Sequence, residues 1–485
     1  MTVASATSTS SSTTPTSGTA SGVGPIDVAT VVAQLMQVEN QPLVALQTQE
    51  AGVTSQITAL GQIQGAVASF QTAASALANP STWNAQAPTV SGSALTAAVT
   101  DSTQSTAGQY TVAVTNLAAS AALATAKIAS SSTVVGDGTL TLQVGSGAPT
   151  SITIDSSNDT LAGIRDAING SNAGVTAAIV TDGTQVRLTL VANASGAANT
   201  VSVGVAPPAG SSTTGLSQLE YDSGAQNLQL TRPAADASFT VNGLPLTSQT
   251  NQVTGVVAGV TLNLTQANAT STVTIAADTA SMQTALGNFA TAYNGLMSTI
   301  NSLTAYDPTS GTAAVLNGDS AVRSLQQQVA ATVESSFSGT GAGGLSYLSQ
   351  VGLQVQKDGT LSLNASVFNT VAANPAALKS FFTGTGTGSA QGLGLRIQSL
   401  ANDAASSSGI VAMDTQSLQT QVKDLKSQET DETARLTMIQ QALTAQYSAL
   451  NAQLAQMQSV SSSLASQLNQ LTVNELAAAS PVKTG

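Results

Sequence analysis

The sequence TARLTMIQQALTAQYSALNAQLAQMQSVSSSLASQLNQLT occupies residues 433–472 and repeats an apolar residue at every seventh position. The row begins upstream of this stretch, and Glu429 is its one polar member: Val422, Glu429, Leu436, Leu443, Leu450, Met457, Leu464 and Leu471. Such a row forms one stripe along an α-helix, and the stripe is buried only against another helix. The C-terminal part of the chain therefore predicts a long coiled-coil helix.

A matching row lies near the N-terminus. Its members are Leu46, Val53, Leu60, Val67 and Ala74, with Ile63, Phe70 and Leu77 as a second row. Asp27 is the predicted N-cap of a shorter helix that comes first, and Pro42 separates the two helices. Because both ends of the chain carry such helices, the simplest arrangement pairs them with each other. The residues between them then form an insertion on a helical leg.

The middle of the chain has a different pattern. Between residues 85 and 276, apolar and polar residues alternate in short runs, which predicts strands. A Gly-Asp-Gly turn at 136–138 opens a second unit, with a helix predicted at 161–168. We expect an α+β fold in which N- and C-terminal helices form a coiled-coil leg and two nested, small β-rich head domains are inserted between them.

The predicted boundaries divide the chain into five parts. They are a flexible N-terminal end of the leg with an export signal and a terminal helix (1–45), a helical leg domain (46–85 with 276–435), a β-rich head domain (86–130 with 232–275), an inserted outer head domain (131–231) and a C-terminal coiled-coil end of the leg (436–485).

The composition excludes several function classes. The net charge is −12 and no run of Lys or Arg occurs, which argues against nucleic acid and against an anionic membrane surface. The chain has neither Cys nor His, so a Ser/His/Asp triad, a Cys nucleophile and the commonest metal ligands are missing. The segment 155–159 resembles part of a calcium loop but lacks its later Gly and Glu, and it predicts an ordinary turn and helix cap. We expect no enzyme, cofactor or metal site.

No stretch of about 18 consecutive apolar residues occurs, so we expect no membrane-spanning helix. The first 21 residues are rich in Ser and Thr and lack basic residues and an apolar core, which is unlike a cleaved secretory signal peptide.

The heptad rows are the candidate functional feature. No charged residue occurs from 51 to 100 or from 437 to 474. Coiled coils usually select partner and register with charges beside the seam, so this seam should be insensitive to salt and tolerant of partners. The seam core is predicted at Leu46, Val53, Leu60, Val67, Leu436, Leu443 and Leu450. We expect the stretches before Pro42 and after about Leu454 to lack a partner within one chain and to form the assembly interface: Val31, Leu35, Leu454, Met457, Leu464, Leu468 and Leu471.

Several motifs resemble those of the flagellar filament cap protein, hook-associated protein 2 (the FliD family). The opening Gly24-Pro25-Ile26-Asp27-Val28 leads to Glu39, Pro42 and Leu43, although the proline between Gly24 and Asp27 departs from the family's pattern. The hairpin 352–363 with Asn374-Pro375 and Phe381-Phe382 looks like the family's C-terminal hallmark. Residues 160–177 are similar to a repeat in flagellin heads, and 237–262 also fits the family.

The resemblance implies an extracellular plate at the flagellum tip, formed by roughly four to six copies. Flagellin would fold and insert beneath it. Implied partners are a second copy, flagellin, hook–filament junction proteins and an export chaperone. The implied route is the flagellar type III system, without a cleaved signal. Two alternatives stay open: another hook-associated junction protein, and a surface adhesin that binds host glycans or mucin through the Ser, Thr and Asn of its head.

Overall fold

The computed structural model describes residues 27–211 and 214–478. These residues pack into two compact units, the first formed by 27–67, 298–326 and 403–478 and the second by 68–297 and 327–402. The predicted α+β class is confirmed, because long helices occupy both ends of the sequence and strands fill most of the middle.

The helices coincide with the apolar rows and their caps. They are α1 (Val28–Glu39), α2 (Gln41–Ala78), α3 (Pro80–Asn84), α4 (Leu161–Gly170), α5 (Thr279–Thr304), α6 (Ser320–Glu334), α7 (Ala365–Ala372), α8 (Pro375–Thr383), α9 (Leu393–Ala405) and α10 (Ile410–Ala478). The side chains of Asp27, Thr160, Asn364 and Asn374 accept hydrogen bonds from main-chain N–H groups in the first turns of α1, α4, α7 and α8. Such caps satisfy donors that have no partner inside the helix.

The strands are mostly short. They are β1 (Gln86–Gly92), β2 (Leu95–Val99), β3 (Gly108–Asn116), β4 (Ala122–Ala124), β5 (Gly138–Val144), β6 (Thr150–Ile154), β7 (Val175–Asp182), β8 (Gln185–Ala192), β9 (Val201–Ala206), β10 (Gln229–Arg232), β11 (Ala237–Val241), β12 (Leu244–Ser248), β13 (Gln252–Val257), β14 (Val260–Leu264), β15 (Ala269–Ala277), β16 (Tyr306–Asp307), β17 (Thr312–Ala313), β18 (Leu353–Val355) and β19 (Leu361–Leu363).

The first unit contains α1, α10 and the hairpin of β16 and β17. The helical C-terminal part of the chain is interrupted at 406–409, between α9 and α10. Gly409 lies in this break, where a Cβ would come within 2.6 Å of the carbonyl oxygens of Asp403 and Ala404. The break is therefore a tight turn in which Gly409 lies directly against the main chain at the end of α9.

The second unit holds an inner β layer. One antiparallel sheet has the order β1-β15-β3-β11-β12, and a smaller sheet has the order β13-β14-β2. Their apolar faces form one core that includes Val112, Val114, Phe239, Leu262 and Ile275. Alternation along each strand places these side chains on the buried face. This layer corresponds to the predicted inner head.

An outer β layer is inserted within the same unit. Its sheets have the orders β10-β4-β8-β7 and β6-β5-β9, and α4 packs on them through Leu161, Ile164 and Ile168. The predicted outer head begins at residue 131, but Ala121 and Leu123 already belong to this core. The predicted boundary is too late because β4 has only three residues, too few to be recognised as a strand. It joins the outer layer by pairing with β8 and β10, which are distant in sequence.

Helices and a hairpin complete the second unit. Trp83 stacks on Phe382 with ring centroids 4.2 Å apart, and Phe381 meets Phe382 edge to face. The indole N–H of Trp83 donates to the carbonyl oxygen of Leu77 at 2.8 Å. In a chain with few aromatic residues, this cluster concentrates the large ring surfaces in one place.

Candidate assembly surface of the terminal helices

Helix α1 packs on the middle of α10. Val32, Met36 and Leu436 are buried together, and partly buried apolar side chains surround them: Val28, Leu43, Ile439, Leu443 and Tyr447. Glu39 lies 3.5 Å from Arg435 at one end of this contact. A 12-residue helix is about 18 Å long. Because Glu39 lies beside Arg435 and Val28 shares this cluster with Tyr447, α1 runs antiparallel to α10.

This packing corrects one prediction. The stretch before Pro42 was expected to have no helical partner within one chain, yet its Val28–Val32–Met36 row is covered by α10. The physical reason is the spacing of four residues, which aligns these side chains on one helix face. Val31 is half-buried, and Leu35 is 38% exposed. Of the two predicted interface residues in α1, only Leu35 is therefore strongly accessible.

Helix α2 contributes the buried row that the sequence predicts. Val53, Leu60 and Val67 are buried, whereas Leu46 is half-buried. Leu46 lines a surface groove together with residues of α10 that include Arg435. The side chain of Lys426 lies 3.4 Å from Glu50, which adds an ion pair between α10 and α2.

Charged side chains gather on one short segment of α10. Arg435 donates two hydrogen bonds to Glu432, at 2.9 and 2.7 Å. These bonds lower the pKa of the Glu432 carboxyl and raise that of the Arg435 guanidinium. Exposed ion pairs contribute little to stability, and this pair lies within one helix.

Glu429 interrupts the apolar row between Leu425 and Leu436, both of which are buried. Its Oε1 atom is buried and has no hydrogen-bond partner. A polar side chain in a seam lowers stability while restricting the registers that the helices can adopt. Glu429 is therefore a specific weak point of the leg.

Beyond the contact with α1, the row on α10 becomes exposed. Leu436 is buried and Leu443 is half-buried, but Leu450 is 40% exposed. Leu454 is half-buried, whereas Met457, Leu464 and Leu468 are 62%, 55% and 61% exposed. Leu471 lies in α10, but its side chain is outside the part that the structure describes. Leu454, Met457, Leu464 and Leu468 thus follow one another at spacings that place them on one helix face.

Sequence reasoning missed the contact of α1 with α10 and the Glu39–Arg435 pair. Two signals were available. The apolar residues of α1 recur at 28, 32 and 36, and Glu39, the one charged residue of α1, has an opposite charge in Arg435 of α10. Neither signal selects a partner, because two distant helices in the linear sequence have many possible registers.

Within residues 27–211 and 214–478, no three acidic side chains approach closely enough to hold a metal ion. No helix in these ranges has the length and apolar character needed to cross a membrane.

Known proteins resemble this chain in sequence and in architecture. Residues 25–121 match the family model of the flagellar hook-associated protein 2 N-terminus, and residues 234–459 match that of its C-terminus. Residues 139–194, in the outer layer, match the flagellin hook IN motif. A B-type flagellar hook-associated protein 2 of Pseudomonas aeruginosa is 33% identical over 457 residues, which cover 90% of this chain and 94% of that protein. The chain belongs to the flagellar hook-associated protein 2 family.

Other members of the hook-associated protein 2 family agree with this assignment. The protein of Escherichia coli K12 is 30% identical over 385 residues, 75% of this chain and 78% of that protein. Among solved structures, the D1-D2-D3 domains of the flagellar cap protein FliD from Escherichia coli match with a TM-score of 0.58 and 29% identity. That match covers 74% of this chain and 99% of the solved chain.

Proposed function

We propose that this protein caps the bacterial flagellar filament as an oligomeric plate that retains flagellin and promotes its folding and insertion at the tip. The family membership supports this proposal, and the solved relative from Escherichia coli is named a flagellar cap protein. The observation that carries it is the exposed apolar face of α10 beyond Leu450. Because an exposed apolar row of this length is costly in water, it suits a subunit that functions in an assembly.

The proposed mechanism is non-covalent. The β-rich heads form the plate, and the terminal helices form legs that contact the growing end of the filament. From 437 to 474 the leg carries no charge, so its contacts depend on apolar packing and are weakly sensitive to salt. Such contacts re-form with successive neighbours without charge mismatches. Each added flagellin subunit would therefore displace a leg without breaking ion pairs.

The proposal includes partners and a route. The protein would assemble with itself in a ring of roughly four to six copies. It would contact flagellin and hook–filament junction proteins and would be exported with a chaperone through the flagellar type III system. In this scheme, parts 1–45 and 436–485 form the end of the leg, 46–85 with 276–435 its body, and 86–130 with 232–275 and 131–231 the heads.

Growth of filaments in a strain that lacks this protein tests the proposal. We expect flagellin to leak into the medium as monomers and filaments to be absent or short in electron micrographs. Expression of the full chain should restore filament length. Normal filaments without the protein would refute the cap function and would favour the adhesin alternative, which binding of the purified chain to a glycan array would then test.

A further inference from the structure

A cleft of about 710 Å³ lies within the second unit, where β15 and the loop between β2 and β3 face α3 and α8. Its wall is mainly apolar. Trp83 and Ile275 line it and are each 1% exposed, and alanine side chains from β15 and α8 complete it. The indole of Trp83 is fixed by its stack on Phe382 and by its hydrogen bond to Leu77. The cleft is therefore preformed, as binding sites usually are.

Three polar side chains line the cleft without a partner of their own. Asn84, Ser102 and Lys379 are half-buried, and within residues 27–211 and 214–478 their side chains form neither a hydrogen bond nor an ion pair. An apolar wall with a few unpaired polar groups is the usual composition of a ligand site. The amide of Asn84 and the hydroxyl of Ser102 both donate and accept hydrogen bonds, as the main chain of a peptide does.

The charge of the cleft has one sign. Among the described residues that line it, Lys379 is the one charged side chain. The carboxylate of Asp101 already accepts from the main-chain N–H and the hydroxyl of Thr103, at 2.8 and 2.6 Å. That of Asp278 accepts from the same groups of Ser281, at 2.9 and 2.5 Å. The ammonium of Lys379 therefore favours a carboxylate that comes from a ligand.

We propose that this cleft binds a segment of a partner protein in which a Glu or Asp lies between apolar residues. The carboxylate pairs with the ammonium of Lys379, and the apolar side chains cover Trp83 and Ile275. The main chain of the segment forms hydrogen bonds with Asn84 and Ser102, which a hydrocarbon chain would leave buried without partners. This binding is additional to the proposed cap function, which does not involve the cleft.

Two resin-bound pentapeptide libraries test the charge preference of the purified full chain. They have the same randomised flanking positions and differ only in a central Glu or a central Gln. We expect the Glu library to retain at least ~10-fold more protein, because an ion pair beside an apolar wall is stronger than a neutral hydrogen bond. Apolar residues should predominate beside the Glu of the peptides that bind. Equal retention on the two libraries would overturn the proposal.

Variants of the cleft assign the retention to this place. Lys379→Gln should lower retention on the Glu library to that on the Gln library, and Lys379→Glu should instead favour a library with a central Lys. Ala376→Phe, at an exposed position of α8, should fill the cleft and abolish retention. Lys357→Gln, in the exposed turn between β18 and β19, is the matched control and should retain the preference. A preference for Glu that survives both Lys379→Gln and Ala376→Phe would place the binding elsewhere and overturn the proposal.

Trp83 reports occupancy directly, because it is the one tryptophan of the chain and lines the cleft. We expect a saturable change of its fluorescence with the peptide that the Glu library retains best. Octanoate carries a carboxylate on an apolar chain without peptide groups. Saturation by octanoate at a lower concentration would assign the cleft to a fatty acid and overturn the proposal, as would no change with the peptide. These measurements use no filaments, so failure of the cap function would appear separately, in filament growth.

Discussion

The side chain of Asn294 forms two hydrogen bonds with the main chain of Leu361. Its Nδ2 atom donates to the carbonyl oxygen at 2.8 Å, and its Oδ1 atom accepts from the N–H group at 2.7 Å. The amide thereby imitates the edge of a strand and fixes α5 against β19. Asn169 pairs with Ala177 and Asn251 with Ala118 in the same way. In a chain with few charges, these neutral pairs hold elements together without ion pairs.

Replacement of Asn294 by Ala should destabilise the second unit by about 1–3 kcal/mol, because it leaves two partly buried main-chain groups without partners. Chemical denaturation followed by circular dichroism measures the change. Thr291→Ala, an exposed position one turn earlier in α5, should change stability by less than about 0.5 kcal/mol. Equal effects at both positions would contradict the proposed contribution of the amide.

A pH dependence follows from Asp414 in α10. Burial first, and then the neighbouring Asp319 carboxyl, raise the pKa of Asp414 from 3.8 to about 6. Asp319 caps α6 by accepting from the main-chain N–H groups of Ala321 and Val322, and the Oδ2 atom of Asp414 is buried without a hydrogen-bond partner. The two carboxyl groups are therefore most compatible when one of them holds a proton.

The folded protein binds this proton more tightly than the unfolded chain does. The contribution of Asp414 to the free energy of unfolding is therefore complete below about pH 4, and it is lost as the pH rises through about 6. Asp414→Asn should remove this dependence of stability on pH and raise the free energy of unfolding at pH 7 by about 1 kcal/mol. The gain is small because solvent screens a partly buried charge. Chemical denaturation at pH 4, 5, 6 and 7 measures the free energy of unfolding of both proteins. The same change with pH in both would contradict this role of Asp414.

The contact of α1 with α10 depends on burial. Met36→Ala should release α1, because removal of a buried methionine side chain costs about 2–5 kcal/mol. Leu35→Ala, at the neighbouring exposed position, is the matched control and should cost less than about 1 kcal/mol. Hydrogen exchange of the α1 amides measures the release. Similar exchange in both variants would mean that α1 does not rely on this face.

Glu429 offers a stabilising substitution. Glu429→Leu removes a carboxylate oxygen that is buried without a partner and restores the apolar row, so the leg should become more stable by about 1–3 kcal/mol. Glu432→Leu removes the Arg435 pair instead and should give no such gain. A lower melting temperature for Glu429→Leu would show that the carboxylate supports the seam.

Charges on the exposed face should separate assembly from folding. We expect Leu464→Glu with Leu468→Glu to abolish restoration of filaments in a strain that lacks the protein, because two carboxylates cannot be buried in an apolar seam. The circular dichroism and Trp83 fluorescence of the second unit should not change. Ser459→Glu with Ser466→Glu adds the same charge on the opposite face of α10 and should retain function. An unfolded head in the first variant would contradict this separation.

The local sequence was sufficient for most individual elements. The heptad rows predict α2 and α10, and the Asp358-Gly359 turn predicts the hairpin of β18 and β19. The caps at Asn364 and Asn374 also follow from single residues. These features depend on spacing and backbone preference within a few residues, which a sequence displays directly. The sequence also predicts that the stretch after about Leu454 lacks a partner within one chain, and its use as an assembly interface stays a prediction.

Only the tertiary structure decided which elements meet. The antiparallel packing of α1 on α10, the place of β4 in the outer layer and the Asp319–Asp414 pair all join residues that are distant in sequence. A stripe or a short strand specifies that a face will be buried, but many partners of similar apolar character compete for it. The choice among them depends on the sum of many weak contacts over the whole chain, and no single motif records that sum.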